Sequence, residues 1–268
     1  MLNNQQGLKE KNNRLFLVTN DDGVHANGLQ SLIELSRPFG KLFVIAPEDS
    51  QSGMSHAITV KYPIRIKKVR EEEGLVVYSS NGTPVDCVKL ALSKLLGRKP
   101  DLILSGINHG ANSSTSVLYS GTMAAALEGC VNGVPAIGFS LLDYSPDANF
   151  STILKYAKII LEKVLEKGLP ENTCLNVNFP VNTYQKIRGI RVCRQNKGIW
   201  KEEFEHRRDP QNRDYFWLTG EFQNLEPEAM DTDEWALENN YVSIVPTHVD
   251  LTAYKALKQI RDWDIETG

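Results

Sequence analysis

The sequence lacks the patterns that mark several large classes of protein. Its four cysteines are widely spaced, and no pair forms a CxxC motif or a zinc-finger arrangement with histidine. No run of about 18 apolar residues is present, as a membrane-spanning helix would need. A formal net charge of −3 provides no overall basic field for a nucleic-acid backbone. We therefore predict a reduced, cytoplasmic protein that binds neither membranes nor nucleic-acid polymers.

Three enzyme signatures are also missing. No Gly-x-Gly-x-x-Gly follows the first apolar run, where a dinucleotide-binding dehydrogenase would carry it. No cysteine has an arginine six residues further on, so the signature loop of cysteine phosphatases is absent. The two carboxylates after the first apolar run, Asp21 and Asp22, are adjacent, whereas haloacid-dehalogenase phosphatases need Asp-x-Asp. These absences argue against all three chemistries.

Short apolar runs alternate with helical patterns over the first two thirds of the chain. Strands of five to seven residues that alternate with helices are typical of parallel βαβ units. We therefore predict an α/β fold with a Rossmann-like, doubly wound and mostly parallel sheet. The predicted strands are Leu15–Thr19, Leu42–Ala46, Leu75–Ser79, Asp101–Ser105, Val134–Ser140 and Cys174–Asn178, and the predicted helices are Asn27–Phe39, Thr83–Gly97, Tyr119–Gly133 and Ser151–Lys167.

The chain divides into three predicted parts. Residues 1–13 are polar and predict a flexible N-terminal tail, 14–180 form the α/β catalytic core, and 181–268 form a C-terminal part that returns to the core. Within that last part, about 190–223, strand patterns with aromatic faces occur at Ile190–Gln195, Ile199–His206 and Asp214–Phe222. The last two predict an extended hairpin with its turn around Arg208–Arg213. Because an isolated hairpin is only marginally stable, this extension favours a role in oligomerisation.

Polar residues follow the predicted strands at the carboxyl edge of the sheet, where open α/β sheets bind ligands. Asp21 and Asp22 come directly after the first strand. Adjacent carboxylates repel each other unless a cation or a proton lies between them. The plainer alternative has one of them capping the next helix and the other solvated, because Asp and Gly are ordinary turn residues. Their place at a strand end favours a metal.

Two neutral oxygen ligands follow other strands. Ser52 lies in the loop after the second strand, and Asn108 in Ser105–Gly110 after the fourth. An all-oxygen set that includes Asp21 and Asp22 selects a hard cation, Mg²⁺ or Mn²⁺, rather than zinc. We predict one such cation per subunit, with Asp21, Asp22 and Asn108 as catalytic residues.

Ser120, Gly121 and Thr122 begin the alanine-rich third helix. A helix N-terminus preceded by small residues binds anions readily, so these residues and Asn108 are the predicted phosphate site. Simple N-capping by Ser120 is the alternative. His56 and His109 fall in the site loops, where each is either an acid or base in the reaction or a satisfied polar residue at the rim.

An ordered set of motifs resembles the SurE family, the stationary-phase survival proteins. The resemblance extends over nearly the whole chain apart from the N-terminal tail. The motifs are Val18–Gly23, Ala46-Pro47, Ser52 with His56, Gly82–Val88, Ser105–Gly110, Ser120–Thr122, Arg194-Gln195 and Tyr241–Pro246.

The resemblance implies a metal-dependent 5′/3′-nucleotidase. It implies that Asp21, Asp22, Ser52 and Asn108 hold the metal, and that nucleoside monophosphates are hydrolysed to nucleoside and phosphate, with exopolyphosphatase activity in some members. It also implies homodimers or homotetramers built by exchange of C-terminal segments. The residues themselves leave one alternative open, a nucleotide- or phosphate-sensing module that binds without turnover.

Overall fold

The central sheet contains most of the strands of this protein. The computed structural model describes residues 13–145, 147–181, 186–265 and 267, so the predicted N-terminal tail lies outside the described residues except for Asn13. The strands are β1 (Leu15–Thr19), β2 (Lys41–Pro47), β3 (Ile66–Glu72), β4 (Leu75–Ser80), β5 (Leu102–His109), β6 (Ala136–Leu141), β7 (Thr173–Phe179), β8 (Gly189–Val192), β9 (Gly198–Lys201), β10 (Phe204–Arg208), β11 (Asp214–Leu218), β12 (Glu221–Asn224) and β13 (Tyr241–His248).

Nine of these strands form one mixed sheet in the order β3-β4-β2-β1-β5-β6-β7-β13-β8. Strands β4, β2, β1, β5, β6 and β7 are mutually parallel. Antiparallel pairing occurs where β3 joins β4 and where β13 joins β7. The predicted α/β fold with a mostly parallel sheet is therefore confirmed.

Helices cover both faces of the sheet. The first and fourth helices pack on one face through Leu29, Leu32, Ala157 and Ile160, and the second and third pack on the other through residues such as Val88 and Met123. None of the helices within the described residues has the length and apolar character needed to cross a bilayer. The helices are α1 (Asn27–Ser36), α2 (Pro84–Leu90), α3 (Gly121–Val131), α4 (Leu154–Lys167), α5 (Asp233–Glu238) and α6 (Tyr254–Arg261), with 3₁₀ turns at Arg37–Phe39, Ser114–Tyr119 and Phe150–Thr152 and a π turn at Ala91–Leu95.

Helix α2 begins where its sequence predicts. Thr83 is the N-cap, and its hydroxyl accepts a hydrogen bond from the Asp86 backbone N–H, 3.2 Å away. The Asp86 carboxylate in turn accepts from the Thr83 N–H at 2.9 Å. This reciprocal pair satisfies two backbone donors that the first turn of a helix leaves unpaired.

The order of strands reverses between β1 and β5. From β1 the chain moves outward through β2 to β4, and it then returns to add β5 on the other side of β1. The loops that leave β1 and β5 consequently diverge to opposite faces and open a crevice at the carboxyl edge. Asp21 follows β1, and Asn108 lies near the end of β5.

Several elements differ from the sequence prediction, which named no strand for β13 and no helix for α5 or α6. Strand β3 was not predicted, because its residues are mostly charged and exposed. The hairpin was predicted as two long strands, Ile199–His206 and Asp214–Phe222, but each is interrupted. Glu202 (φ 52°) and Gly220 (φ 116°) adopt the left-handed conformation, which ends regular pairing and leaves two separate two-stranded sheets, β9 with β12 and β10 with β11.

Candidate active site

Asp21 is buried at the carboxyl end of β1, with 3% of its surface exposed. Its carboxylate accepts a hydrogen bond from the Thr122 hydroxyl. Burial raises the pKa of Asp21 from its ordinary value of 3.8 to about 6, opposed by the Thr122 hydrogen bond and aided by the charge of Asp22. A buried carboxylate with a raised pKa is a group whose charged form needs a cation.

Asp22 points to a different partner. One of its carboxylate oxygens accepts a hydrogen bond from the backbone N–H of His109 at 3.1 Å, which links the loop after β1 to the end of β5. Burial raises the pKa of Asp22 as well, and the His109 N–H opposes that shift. Asp22 also borders an open hollow of about 370 Å³ that it shares with His25 and Asn27.

The loop after β2 is fastened to the loop after β1 by backbone hydrogen bonds. The Gln51 N–H donates to the Asp21 carbonyl at 2.7 Å, and the Val24 N–H donates to the Pro47 carbonyl at 2.8 Å. Ser52 follows immediately and is exposed, and its hydroxyl lies 3.0 Å from that of Ser50. The sheet edge thus holds a serine hydroxyl near Asp21.

Asn108 presents its side-chain oxygen. The two Nδ2–H groups donate to the carbonyls of His109 at 3.0 Å and Gly110 at 2.7 Å. Since both amide hydrogens are used, the oxygen remains for a ligand. The pairing of β5 with β6 shifts register between Ser105 and Asn108, a bulge that re-aims the end of the strand.

Buried asparagines hold the loop that follows Asn108. The Asn112 N–H donates to the Asn178 carboxamide oxygen at 2.7 Å, and the Asn112 side chain donates to the Ser140 hydroxyl at 2.8 Å. Asn176 then donates to the Asn112 carbonyl at 2.8 Å. Each of these groups lies in the interior, so the network fixes the loop after β5 to the ends of β6 and β7.

The N-terminus of α3 abuts Asp21. Ser120 is the N-cap and accepts from the Met123 N–H at 3.0 Å. Gly121 lies so close to Asp21 that an added Cβ would come within 2.8 Å of the Asp21 Cβ. Glycine is therefore required here by a close approach, and the positive end of the helix dipole faces the carboxylate.

These loops enclose one cleft of about 570 Å³. Of the predicted site residues, it brings together Asp21, Ser52, Asn108, His109 and Ser120, while Gly121 and Thr122 lie behind Asp21 and contact it directly. His56 does not line this cleft. It lies in a separate groove with Glu128 and His248, where burial lowers the pKa of His56.

Sequence reasoning missed the apolar side of the cleft. Tyr119, Tyr144, Trp200 and Leu218 line it together with Glu203. Tyr119 directly precedes the predicted phosphate site, which was the one available signal. Trp200 and Leu218 belong to β9 and β11 of the C-terminal extension, about 80 to 100 residues after Tyr119 in the chain. No local sequence pattern links them to Asp21.

Comparison with known proteins places this geometry in a family. The model of the Survival protein SurE family matches residues 16–202. The chain belongs to the SurE family. The resemblance that its motifs predicted is thereby confirmed.

Individual SurE proteins match over nearly the full chain. A protein of Flavobacterium psychrophilum named 5′-nucleotidase SurE is 51% identical over 94% of this chain and 98% of its own length. A Phocaeicola vulgatus protein of the same name is 50% identical over 96% and 99%. The crystal structure of SurE from Aquifex aeolicus superposes on this chain with a TM-score of 0.80 at 38% sequence identity. The match covers 93% of this chain and 99% of the Aquifex aeolicus chain.

The contact between Gly121 and Asp21 in this SurE family member yields a first prediction. We expect Gly121→Ala to weaken Mg²⁺ binding about 10- to 100-fold, measured by calorimetric titration, because the added methyl group displaces the Asp21 side chain. The matched control is Gly129→Ala in the same helix, where the new methyl would meet Ile103 Cδ1 at 2.8 Å instead. Equal Mg²⁺ affinity in the Gly121→Ala variant and the native protein would contradict the assignment of Asp21.

Proposed function

We propose that this chain is a metal-dependent phosphomonoesterase that hydrolyses nucleoside 5′- and 3′-monophosphates to nucleoside and phosphate. The observation that carries the proposal is a buried carboxylate, Asp21, at the reversal of strand order, in a cleft that also presents a serine hydroxyl, an asparagine oxygen and a helix N-terminus, with the half-buried Asp22 next to it in the chain. The curated relatives named 5′-nucleotidase SurE support the same activity.

The donor set fits one hard divalent cation, Mg²⁺ or Mn²⁺. Asp21, Asp22, Ser52 and Asn108 offer oxygen atoms exclusively, which suits these ions and disfavours zinc. Among the described residues, no lysine or arginine forms an ion pair with Asp21 or Asp22. When bound, such a cation supplies Lewis-acid stabilisation of the phosphoryl charge and lowers the pKa of attacking water.

The chain's own residues then bind and orient the phosphoryl group. The positive end of the α3 dipole, which Ser120 brings to the cleft, favours the negative charge that develops on the phosphoryl oxygens. Thr122 holds Asp21 by its hydroxyl, so the carboxylate keeps one orientation. Asn108 uses both amide hydrogens internally, which favours its role as a cation ligand over that of a phosphate donor.

His109 is the histidine placed to assist proton transfer. It lines the cleft, its backbone binds Asp22, and its ring packs edge-on against Phe150 with 4.9 Å between centroids. We propose that it assists the departure of the nucleoside oxygen. His56 faces a different groove, so we assign it no proton transfer.

Phosphate release from a panel of esters tests the function. We expect adenosine 5′- and 3′-monophosphates to be hydrolysed with Mg²⁺ or Mn²⁺, and EDTA to abolish the activity until cation is restored. No lysine or arginine from the described part of the chain lines the cleft, and Glu203 adds negative charge. Polyphosphate and nucleoside triphosphates, if hydrolysed, should therefore have lower kcat/KM than monophosphates. Tight nucleotide binding without phosphate release would instead identify a sensing module.

We further propose that the C-terminal part, residues 181–268, builds a homodimer or homotetramer. No residue of α6 is buried, and Leu257, Ile260 and the nearby Trp263 expose apolar surface. The aromatic faces of β10 and β11 are exposed as well. Such surface is normally covered in an assembly. The mass of the full chain in solution is the direct test, and a monomer would contradict the proposal.

A further inference from the structure

Two chemically unlike groups of residues line the cleft. One consists of the oxygen-bearing groups around Asp21 and Asn108, which suit a cation and a phosphoryl group. The other consists of Tyr119, Tyr144, Trp200 and Leu218. A phosphoryl group gains nothing from apolar surface, so the second group suits the organic part of a phosphate ester.

Trp200 is held firmly against the active-site loop. The Thr115 hydroxyl donates to the Gly198 carbonyl at 3.2 Å, and the Ser114 hydroxyl donates to the Asn196 carbonyl at 3.1 Å. These contacts join β9 to the 3₁₀ turn Ser114–Tyr119, which leads directly into the N-cap of α3.

A buried carboxylate reinforces this junction. Asp233 is 0% exposed and accepts from the backbone N–H of Ser114 and from that of Asn196, both at 2.8 Å. It therefore binds the two segments at once, and the position of Trp200 relative to Asp21 is set by buried hydrogen bonds. On its far side Trp200 meets Phe222, with the rings tilted at 65° and their centroids 5.8 Å apart.

The charge of the cleft restricts what can lie against Trp200. Glu203, the charged residue from the extension, is an acid, and no lysine or arginine lines the cleft within the described residues. An anionic group would be repelled there, whereas a flat uncharged ring would stack. Every nucleobase has such a face, and stacking on an aromatic side chain tolerates differences in base identity.

We propose that Trp200 of the extension seats the nucleobase of the substrate, so that the extension is part of the substrate site. This inference rests on the proposed nucleotidase function. It assigns Trp200 to binding, with no part in the chemical step. The preference for a nucleotide over a smaller phosphate ester then resides in the extension, and the hydrolytic groups reside in the core.

The test compares adenosine 5′-monophosphate with ribose 5-phosphate, which lacks the base. We expect Trp200→Ala to lower kcat/KM for the nucleotide about 10- to 100-fold, mainly through KM, and to leave ribose 5-phosphate unchanged. Trp200→Leu keeps apolar contact with Phe222 but cannot stack, so it should show the same selective loss even if the alanine variant folds poorly. Trp200→Phe should recover most of the activity.

Trp217→Ala is the matched control, because Trp217 is an exposed tryptophan on the same extension that does not line the cleft. This substitution should leave kcat/KM unchanged for both substrates. Equal losses for both esters in Trp200→Leu, or no loss for either, would overturn the inference and leave the proposed function standing. If the native protein hydrolyses neither ester, the proposed function itself fails, and the inference fails with it.

Discussion

Asp21→Asn is expected to lower phosphate release from adenosine 5′-monophosphate by about 10³-fold or more. The substitution removes the negative charge that binds the cation but keeps the size of the side chain. A cation's stabilisation of phosphoryl charge contributes several kcal/mol to lowering the barrier, and each 1.4 kcal/mol corresponds to about tenfold in rate. The measurement is steady-state kinetics at saturating Mg²⁺ or Mn²⁺.

Asp22→Asn should show a comparable loss, because we propose that the two carboxylates bind the same cation. Glu73→Gln is the control, an exposed acid in the turn between β3 and β4, at the opposite edge of the sheet. It should have native activity. Full turnover by Asp21→Asn and Asp22→Asn with added cation would refute the metal site.

The Asp21→Asn substitution should also stabilise the cation-free protein. In the native fold the pKa of Asp21 is raised to about 6 from an ordinary value of 3.8, so the folded state holds the proton more tightly than the unfolded state does. The contribution of Asp21 to the stability of the native protein in EDTA is therefore fully present below about pH 4 and is lost as pH rises to about 6. Asparagine carries no charge to desolvate, and Asp21→Asn should be about 1 to 3 kcal/mol more stable above pH 6.

Chemical denaturation in EDTA at pH 4 and pH 7 measures this difference. The two proteins should be close in stability at pH 4 and separate at pH 7, and Mg²⁺ should restore the native protein while leaving the variant unchanged. Asp86→Asn is the contrasting control, since the buried Asp86 carboxylate caps α2 and binds the Thr59 N–H at 3.0 Å. It should be destabilised at pH 7. A less stable Asp21→Asn at pH 7 would refute this account.

The core of the fold could be predicted from the sequence because its signals are local. Six buried strands appear as short apolar runs, and α2 is marked by Thr83, Pro84 and Asp86, all of which act within one turn of the helix. Strand β3 is different. Its residues are charged and exposed, and it is a strand because it pairs with the edge of β4, a contact that no periodicity reveals.

The predicted site residues could be proposed because the fold places the carboxyl ends of parallel strands together. Asp21 and Ser52 lie in the loops after β1 and β2, and Asn108 lies near the end of β5, yet all three line one cleft because those strands end at the same edge of the sheet. The role of Gly121 was not predictable, because it depends on how closely α3 approaches the side chain of Asp21, 100 residues earlier in the chain. Trp200 was not predictable either, since the hydrogen bonds through Asp233 that position it connect distant segments.

The central claim is that one divalent cation binds among Asp21, Asp22, Ser52 and Asn108. The most direct measurement is anomalous scattering from crystals of the full chain grown with Mn²⁺. We predict one strong peak per subunit in contact with the carboxylates of Asp21 and Asp22, absent from crystals of Asp21→Asn prepared in the same way. A peak at any other position, in a protein that is active with Mn²⁺, would contradict the account.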